Sequence, residues 1–180
     1  MKIQYESELG YQQEAIEAIV DIFQGQEKCE ANFTVYSPEF LAAQTTAGFK
    51  ESGYGNRLLL TEGQIVQNVQ NLQLANGLKP SERSEIDRNN LDFTIEMETG
   101  TGKTYVYLRT IFELNKEYGF TKFIIVVPSI AIKEGVYKTL QITQEHFEGL
   151  YPKAKGYEYF LYDSNKPGQV RNFATSSNIQ

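Results

Sequence analysis

Apolar positions recur along the chain at spacings that name their elements. Ile16, Ile19, Val20 and Phe23 fall at i, i+3, i+4 and i+7, one face of a helix, and Gln24-Gly25 supplies a C-terminal stop. Phe33, Val35 and Tyr36 have strand composition, interrupted by Pro38, while Gly48, Gly53 and Gly55 mark a loose, turn-rich stretch. A second helix is predicted from near Thr61. Thr61-Glu62-Gly63-Gln64 has the form of a capping box, with Leu60 and Ile65 at the positions of its hydrophobic staple. Ile65, Val69 and Leu72 continue one stripe, and Gly77 terminates it. Lys79 to Asn90, with Pro80, Ser81, Ser84 and Asn89-Asn90, reads as an exposed connection.

From Leu91 the pattern sharpens. Leu91 to Met97 has strand composition and partial alternation, and Glu98-Thr99-Gly100-Thr101-Gly102 is a glycine-spaced turn. Tyr107, Ile111, Leu114 and Tyr118 then space helically, and Gly119 ends that helix. Lys122 to Val127 holds a continuous apolar run, expected of a strand buried on both faces. Pro128-Ser129 opens a helix reaching roughly Phe147. Strand, glycine loop, helix, strand, helix implies a parallel sheet with right-handed crossovers. Tyr157 to Tyr162 reads as a further strand, Asn165-Lys166-Pro167-Gly168 as a turn, Phe173 as part of a short helix, and Ser176-Ser177-Asn178 as a loop. Ile179-Gln180 looks like the first step of another strand. The expected fold class is α/β, a mainly parallel sheet flanked by helices and incomplete at the C-terminus.

Composition narrows the function classes. The chain has 180 residues, enough for one domain or slightly more, and 41% apolar against 22% charged residues argues against disorder along its whole length. Cys29, the single cysteine, excludes an internal disulfide framework and a cysteine-rich zinc site, and reads as a buried or half-buried thiol in a reducing compartment. His146, the single histidine, excludes a polyhistidine metal site and reads as a surface or capping residue. No apolar run approaches the ~18 residues of a membrane span, and the N-terminus lacks the apolar core of a signal peptide. A cytoplasmic protein without membrane partners is expected. The net charge of −6 gives no bulk-charge signal for nucleic acid, so contact with DNA would need a local site or sequence outside this chain.

The strongest chemical signal is Gly100-Thr101-Gly102-Lys103-Thr104. Glycines let the backbone curl so that successive N–H groups face a phosphate, and the N-terminus of the following helix adds its partial positive charge. Lys103 would reach the β- and γ-phosphates and Thr104 would coordinate Mg²⁺. A bare Gly-Lys-Ser/Thr triplet arises by chance in roughly one chain in ten of this length, so the predicted strand before it and helix after it carry the weight. Met97 stands where the full pattern wants glycine or often alanine, and its side chain must point away from the phosphates. Glu96 and Glu98 flank the loop. A carboxylate there would repel triphosphate, so both are expected to face solvent or a basic partner.

Met97 to Thr104, followed by Tyr105-Val106-Tyr107-Leu108-Arg109-Thr110, resembles the ATP-binding region of the restriction (Res) subunit of type III restriction enzymes. Phe123 to Ser129, with Ile132-Lys133-Glu134-Gly135-Val136, resembles the next motif of that family. The likeness is strong over about residues 91 to 150 and looser elsewhere. It implies a partial RecA-like domain of the superfamily 2 helicase and translocase type. Residues 1–25 would be an N-terminal helix with a Q-motif-like Tyr11-Gln12, 26–90 an insertion or connection, and 91–180 the partial RecA-like core.

By the same resemblance, Gln12 would read the adenine edge, with Gln13 beside it leaving the choice of glutamine open. An amide suits that task because it donates and accepts together. Thr99, Gly100, Thr101, Gly102, Lys103 and Thr104 would hold ATP and Mg²⁺, with Lys103 the catalytic residue and Thr104 the metal ligand. Pro128 and Ser129 match a motif on the DNA backbone side, where a hydroxyl and helix N-terminal amides can hold a phosphate. Double-stranded DNA and a modification (methyltransferase) subunit are the implied partners.

ATP hydrolysis also needs carboxylates for Mg²⁺ and for the attacking water. The family's Asp-Glu-x-His motif is absent from the sequence, as are an arginine-finger motif, a second RecA-like domain and an acidic nuclease cluster. The expectation is an N-terminal fragment of a larger ATP-driven endonuclease, itself unable to hydrolyse ATP. Another superfamily 2 helicase or translocase, a truncated non-catalytic nucleotide-binding protein, and a small nucleotide kinase remain as alternatives. The last is disfavoured because nothing resembling a lid or acceptor site follows the loop.

Overall fold

A computed structural model describes residues 5–29, 31–36, 50–86, 91–152, 154 and 156–180. They form helix α1 (Gly10–Val20), strands β1 (Ala31–Tyr36) and β2 (Lys50–Gly55), and helices α2 (Glu62–Ala75), α3 (Lys103–Tyr118), α4 (Ile130–Leu150) and α5 (Pro167–Thr175). Single 3-10 turns follow α1 at Asp21–Phe23 and follow α2 at Arg83–Glu85. The chain divides into two compact units. One comprises residues 1–27, 58–114 and 127–152, the other 28–57, 115–126 and 153–180.

In the first unit, α1 and α2 form where the periodicity predicts them. Gly25, at φ 89°, stands just past the turn that ends the first helical stretch. The Thr61 capping box closes with both of its bonds, and Leu60 and Ile65 are buried as the staple requires. At the other end Leu78 N donates to Gln73 O at 2.8 Å and Gly77 N to Leu74 O at 3.0 Å. This pair of bonds, with Gly77 at φ 69°, is a Schellman stop. Ile22, Leu60, Ile65, Val66, Val69 and Ile86 make one core cluster, with Phe23, Leu58, Leu72 and Leu91 packed on it. Ile86 corrects the expectation of an exposed connection over 79–90, because an apolar residue just past the Arg83–Glu85 turn packs into the core. Residues 87–90 lie outside the described set.

A second core runs between α3 and α4. Phe147 stacks on Tyr105 at 5.4 Å and on Phe112 at 4.9 Å, and Phe112 stacks on Tyr151 at 5.2 Å. The helix predicted from Tyr107, Ile111, Leu114 and Tyr118 is present, but its buried face is wider. Tyr105, Val106, Leu108, Arg109, Thr110 and Phe112 are all buried, while Tyr107 and Ile111 are half-buried.

In the second unit, β1 and β2 pair antiparallel from Ala31 opposite Gly55 to Tyr36 opposite Lys50. The glycines read as a loose stretch thus belong to a strand. Gly53 lies opposite Phe33, and a Cβ there would run into the Phe33 ring. Close approach of a large side chain, not a turn, is what glycine serves here. Pro38 and Gly48 lie outside the described residues. Asn56 ties the segment after β2 to the segment after α3: its Oδ1 accepts from Thr121 N at 2.8 Å and Lys122 N at 3.0 Å, and its Nδ2 donates to Lys122 O at 2.7 Å. Cys29 is half-buried, with Sγ 3.8 Å from Arg57 O.

The mainly parallel sheet is not assigned among the described residues. Leu91 to Met97 and Lys122 to Val127 carry no strand ladder, and Ile124 and Val126 are 80% and 87% exposed. A run expected to be buried on both faces needs neighbours on both sides, and among the described residues the 122–127 run has a backbone partner only at Phe123. Among the described residues, parallel pairing is one isolated bridge with flanking backbone bonds. Tyr157 bridges Ile179 in parallel, Gln180 N donates to Thr121 O at 2.7 Å, and Phe123 N donates to Gln180 O at 2.9 Å. The strand step predicted at Ile179-Gln180 and the strand over 157–162 both reduce to this one bridge, with Gln180 also bonded to Thr121 and Phe123. Pro167-Gly168, expected in a turn, starts α5, since proline at the first helical position needs no N–H partner.

Candidate nucleotide-binding site

The glycine loop runs directly into α3. Gly100 and Gly102 take φ values of 85° and 84°, left-handed backbone that glycine adopts without a Cβ clash. Two side chains close the loop on one acceptor, the carbonyl of Glu98. Thr101 Oγ1 donates to it at 2.7 Å and Lys103 Nζ at 2.5 Å. Val106 N donates to Gly102 O at 3.0 Å and begins the helical ladder, so the N–H groups of the first α3 turn have no intrahelical acceptor. A Cβ added at Gly100 would meet nothing within 4 Å, so the backbone there fronts open space. Thr99, Gly100, Gly102 and Lys103 are exposed, and Thr101 and Thr104 are half-buried. Glu96 and Glu98 are exposed, as the charge argument required, and Met97 is half-buried.

α1 brings Gln12 to this loop. Gln12 is 6% exposed, and its Nε2 donates to Thr101 O at 2.8 Å. Its Oε1 is buried and meets no hydrogen-bond donor. Gln13, the neighbouring candidate, instead donates from Nε2 to Glu8 Oε2 at 2.8 Å on the exposed side. Of the two glutamines, Gln12 is the one at the loop. Pro128 and Ser129 belong to a separate element. Both are exposed at the start of α4, where Ser129 Oγ accepts from Ile132 N at 3.3 Å as the N-cap.

A polar network behind the loop escapes the sequence reading. Arg109, 9% exposed on α3, donates from Nη1 to the carbonyl of Ser7 and from Nε to Tyr151 Oη at 3.2 Å. Tyr151 in turn donates to Glu113 Oε1 at 2.6 Å. Burial pushes the Tyr151 phenol far above its ordinary value, and the bond to Glu113 adds to that. Burial opposes the Arg109 charge, but its bond to Tyr151 and the surrounding charges outweigh it. His146, expected as a surface or capping residue, is half-buried. Its Nε2 pairs with Tyr105 Oη at 2.9 Å, and its ring packs on Tyr5 and Phe147. Burial, then the nearby Arg109 charge, lower its pKa. A signal for Arg109 was present: it falls at i+4 from Tyr105 and i+3 before Phe112, a charge on an apolar stripe.

Among the described residues no three His, Cys, Asp or Glu side chains gather as a metal cluster, and no helix is long and apolar enough to cross a membrane.

The family described as type III restriction enzyme, res subunit, matches residues 7–166. The chain is 33% identical to the EcoP15I Res subunit of Escherichia coli, over 97% of this chain and 17% of that protein. It is 36% identical to the EcoPI Res subunit of Escherichia phage P1, over 68% of this chain and 14% of that protein. Over 38% of this chain and 7% of the relative, it is 46% identical to the StyLTI Res subunit of Salmonella typhimurium. The chain thus spans 14–17% of the length of the first two curated relatives. The matched stretch takes in α1 with Gln12, the glycine loop, α3 and α4, and the chain belongs to the type III restriction enzyme Res subunit family.

Proposed function

We propose that this chain is the ATP-binding part of the DNA translocase and endonuclease subunit of a type III restriction-modification system. The observation that carries it is the loop itself: two left-handed glycines at the start of α3, Lys103 at its mouth, and the buried Gln12 amide alongside. The residues fit a nucleotide. Gly100 offers unobstructed backbone, the first α3 turn offers N–H groups without intrahelical acceptors and the helix dipole, and Gln12 Oε1 is a buried acceptor wanting a donor such as the adenine amino group. Thr99 to Gly102 would cradle the phosphates. Lys103 would leave the neutral Glu98 carbonyl for the anionic β- and γ-phosphates, where donor and acceptor are both charged. Thr104 would hold Mg²⁺.

In the whole protein, a RecA-like motor with a parallel sheet would use this site to drive cleavage of double-stranded DNA alongside a modification subunit. Ser129 and the amides of the first α4 turn would meet a DNA phosphate, and the setting would be cytoplasmic. Residues 91–180 would be the motor core and 26–90 an insertion. Without an Asp-Glu-x-His motif in its sequence, this chain binds nucleotide but does not turn it over.

Titration of the chain with a fluorescent ATP derivative in Mg²⁺ tests this. Saturable binding, lost in Lys103→Ala, with no ATP turnover above background, is expected. Affinity unchanged in Lys103→Ala would overturn the site. Turnover abolished by that substitution would overturn the claim that the chain is inactive.

A further inference from the structure

The eight residues that lead to the Gln12 side chain are fastened at three points. Tyr5 stacks on Tyr105 with ring centroids 5.7 Å apart and planes 12° from parallel. The Ser7 carbonyl accepts from Arg109 Nη1. Gln12 itself donates to Thr101 O. Two of the three anchors, Tyr105 and Arg109, sit on α3, the helix that begins at the loop's Lys103. Between the anchors, Gln12 N and Gln13 N both donate to Leu9 O, at 3.0 and 3.1 Å, and Gln13 Nε2 donates to Ser7 O at 3.5 Å, so the helix start is tied back to Ser7.

Arg109 is held in turn. Its Nε donates to Tyr151, which donates to Glu113 one turn further along α3. Only a planar fork can serve the Ser7 carbonyl and Tyr151 at once; a lysine ammonium on its flexible stem cannot reproduce both directions. A buried guanidinium that donates to a backbone carbonyl in the lead into α1 has a positional task.

On the reading that Gln12 meets the base, we infer that Arg109 is a positioning residue for base selection. It sets the lead into α1, and so the place of the Gln12 amide beside Thr101, and the network through Tyr151 and Glu113 keeps its fork aimed. The phosphate loop does not depend on it. Loss of the fork therefore weakens discrimination between adenine and guanine nucleotides without weakening the hold on phosphates.

The test uses this chain with fluorescent ATP and GTP derivatives and, as a ligand without a base, inorganic tripolyphosphate. Wild type, Gln12→Ala, Arg109→Lys and Tyr151→Phe are compared. The wild-type chain is expected to prefer ATP, and Gln12→Ala to lose that preference. Arg109→Lys should lower the ATP-to-GTP ratio at least about fivefold, the factor that ~1 kcal/mol commands, with tripolyphosphate affinity kept. Tyr151→Phe, which removes one hydroxyl and leaves the ring stack, should lower the ratio in the same direction by less. If Gln12→Ala abolishes the preference while Arg109→Lys and Tyr151→Phe keep it, Arg109 has no positioning role. Equal losses of all three ligands in Arg109→Lys likewise reduce it to a structural residue. A wild type without preference, or one unchanged by Gln12→Ala, sinks the base-contact reading first and the inference with it.

Discussion

Gln12 and Thr101, 89 residues apart in sequence, are joined by a 2.8 Å hydrogen bond from the glutamine amide to the loop carbonyl. The bond lies close against Gly102, where an added Cβ would come within 2.7 Å of Gln12 Nε2. The two conditions on Gly102, a left-handed φ and the space that Gln12 fills, are separable by experiment because Gly100 shares only the first.

Gly100→Ala meets no neighbour and bears the left-handed strain alone, about 1–2 kcal/mol. Gly102→Ala bears the same strain and also displaces the Gln12 amide, adding about 1 kcal/mol for the lost bond. Urea unfolding should therefore rank wild type above Gly100→Ala and Gly100→Ala above Gly102→Ala. In the Gln12→Ala background the two glycine variants should become equal. A persistent gap there would show that Gln12 is not what Gly102 makes room for.

The lowered pKa of His146 gives stability a pH dependence of known sign. Its folded value lies below the ordinary 6.5, so the unfolded chain binds the proton more readily. Stability from this group is fully present above about 6.5 and is lost as pH falls through the folded value. Thermal unfolding between the two should show a midpoint that rises with pH, and His146→Gln should flatten that slope. An unchanged slope in the variant would assign the dependence to carboxylates instead.

Ile124 and Val126 invert the burial that their sequence suggests. With most of each side chain in solvent, Ile124→Thr and Val126→Thr should each change stability by less than about 0.5 kcal/mol. A core position would lose about 1–3 kcal/mol from the stranded hydroxyl alone. Chemical denaturation of this chain separates the two cases, and a loss in the larger range would contradict the exposed placement.

Where local chemistry decides, the sequence was sufficient. The Thr61 capping box, the Leu60–Ile65 staple, the Gly77 and Gly119 helix ends and the Ser129 cap are each completed within a few residues, so their signatures stand in consecutive letters. The glycine loop and α3 belong with them, and so does the family resemblance. Pairing and burial over long separations were another matter. Whether Leu91–Met97 and Lys122–Val127 become strands depends on partners that supply ladder bonds, and composition cannot state whether those partners are at hand. That Gly53 lies under Phe33, that Gln12 rather than Gln13 reaches the loop, and that Arg109, Tyr151 and His146 meet behind it are facts of contact between distant segments. A hydrogen bond spanning 89 residues leaves no period in the chain. Tertiary structure decided these because each requires two surfaces to be brought together before either residue has a role.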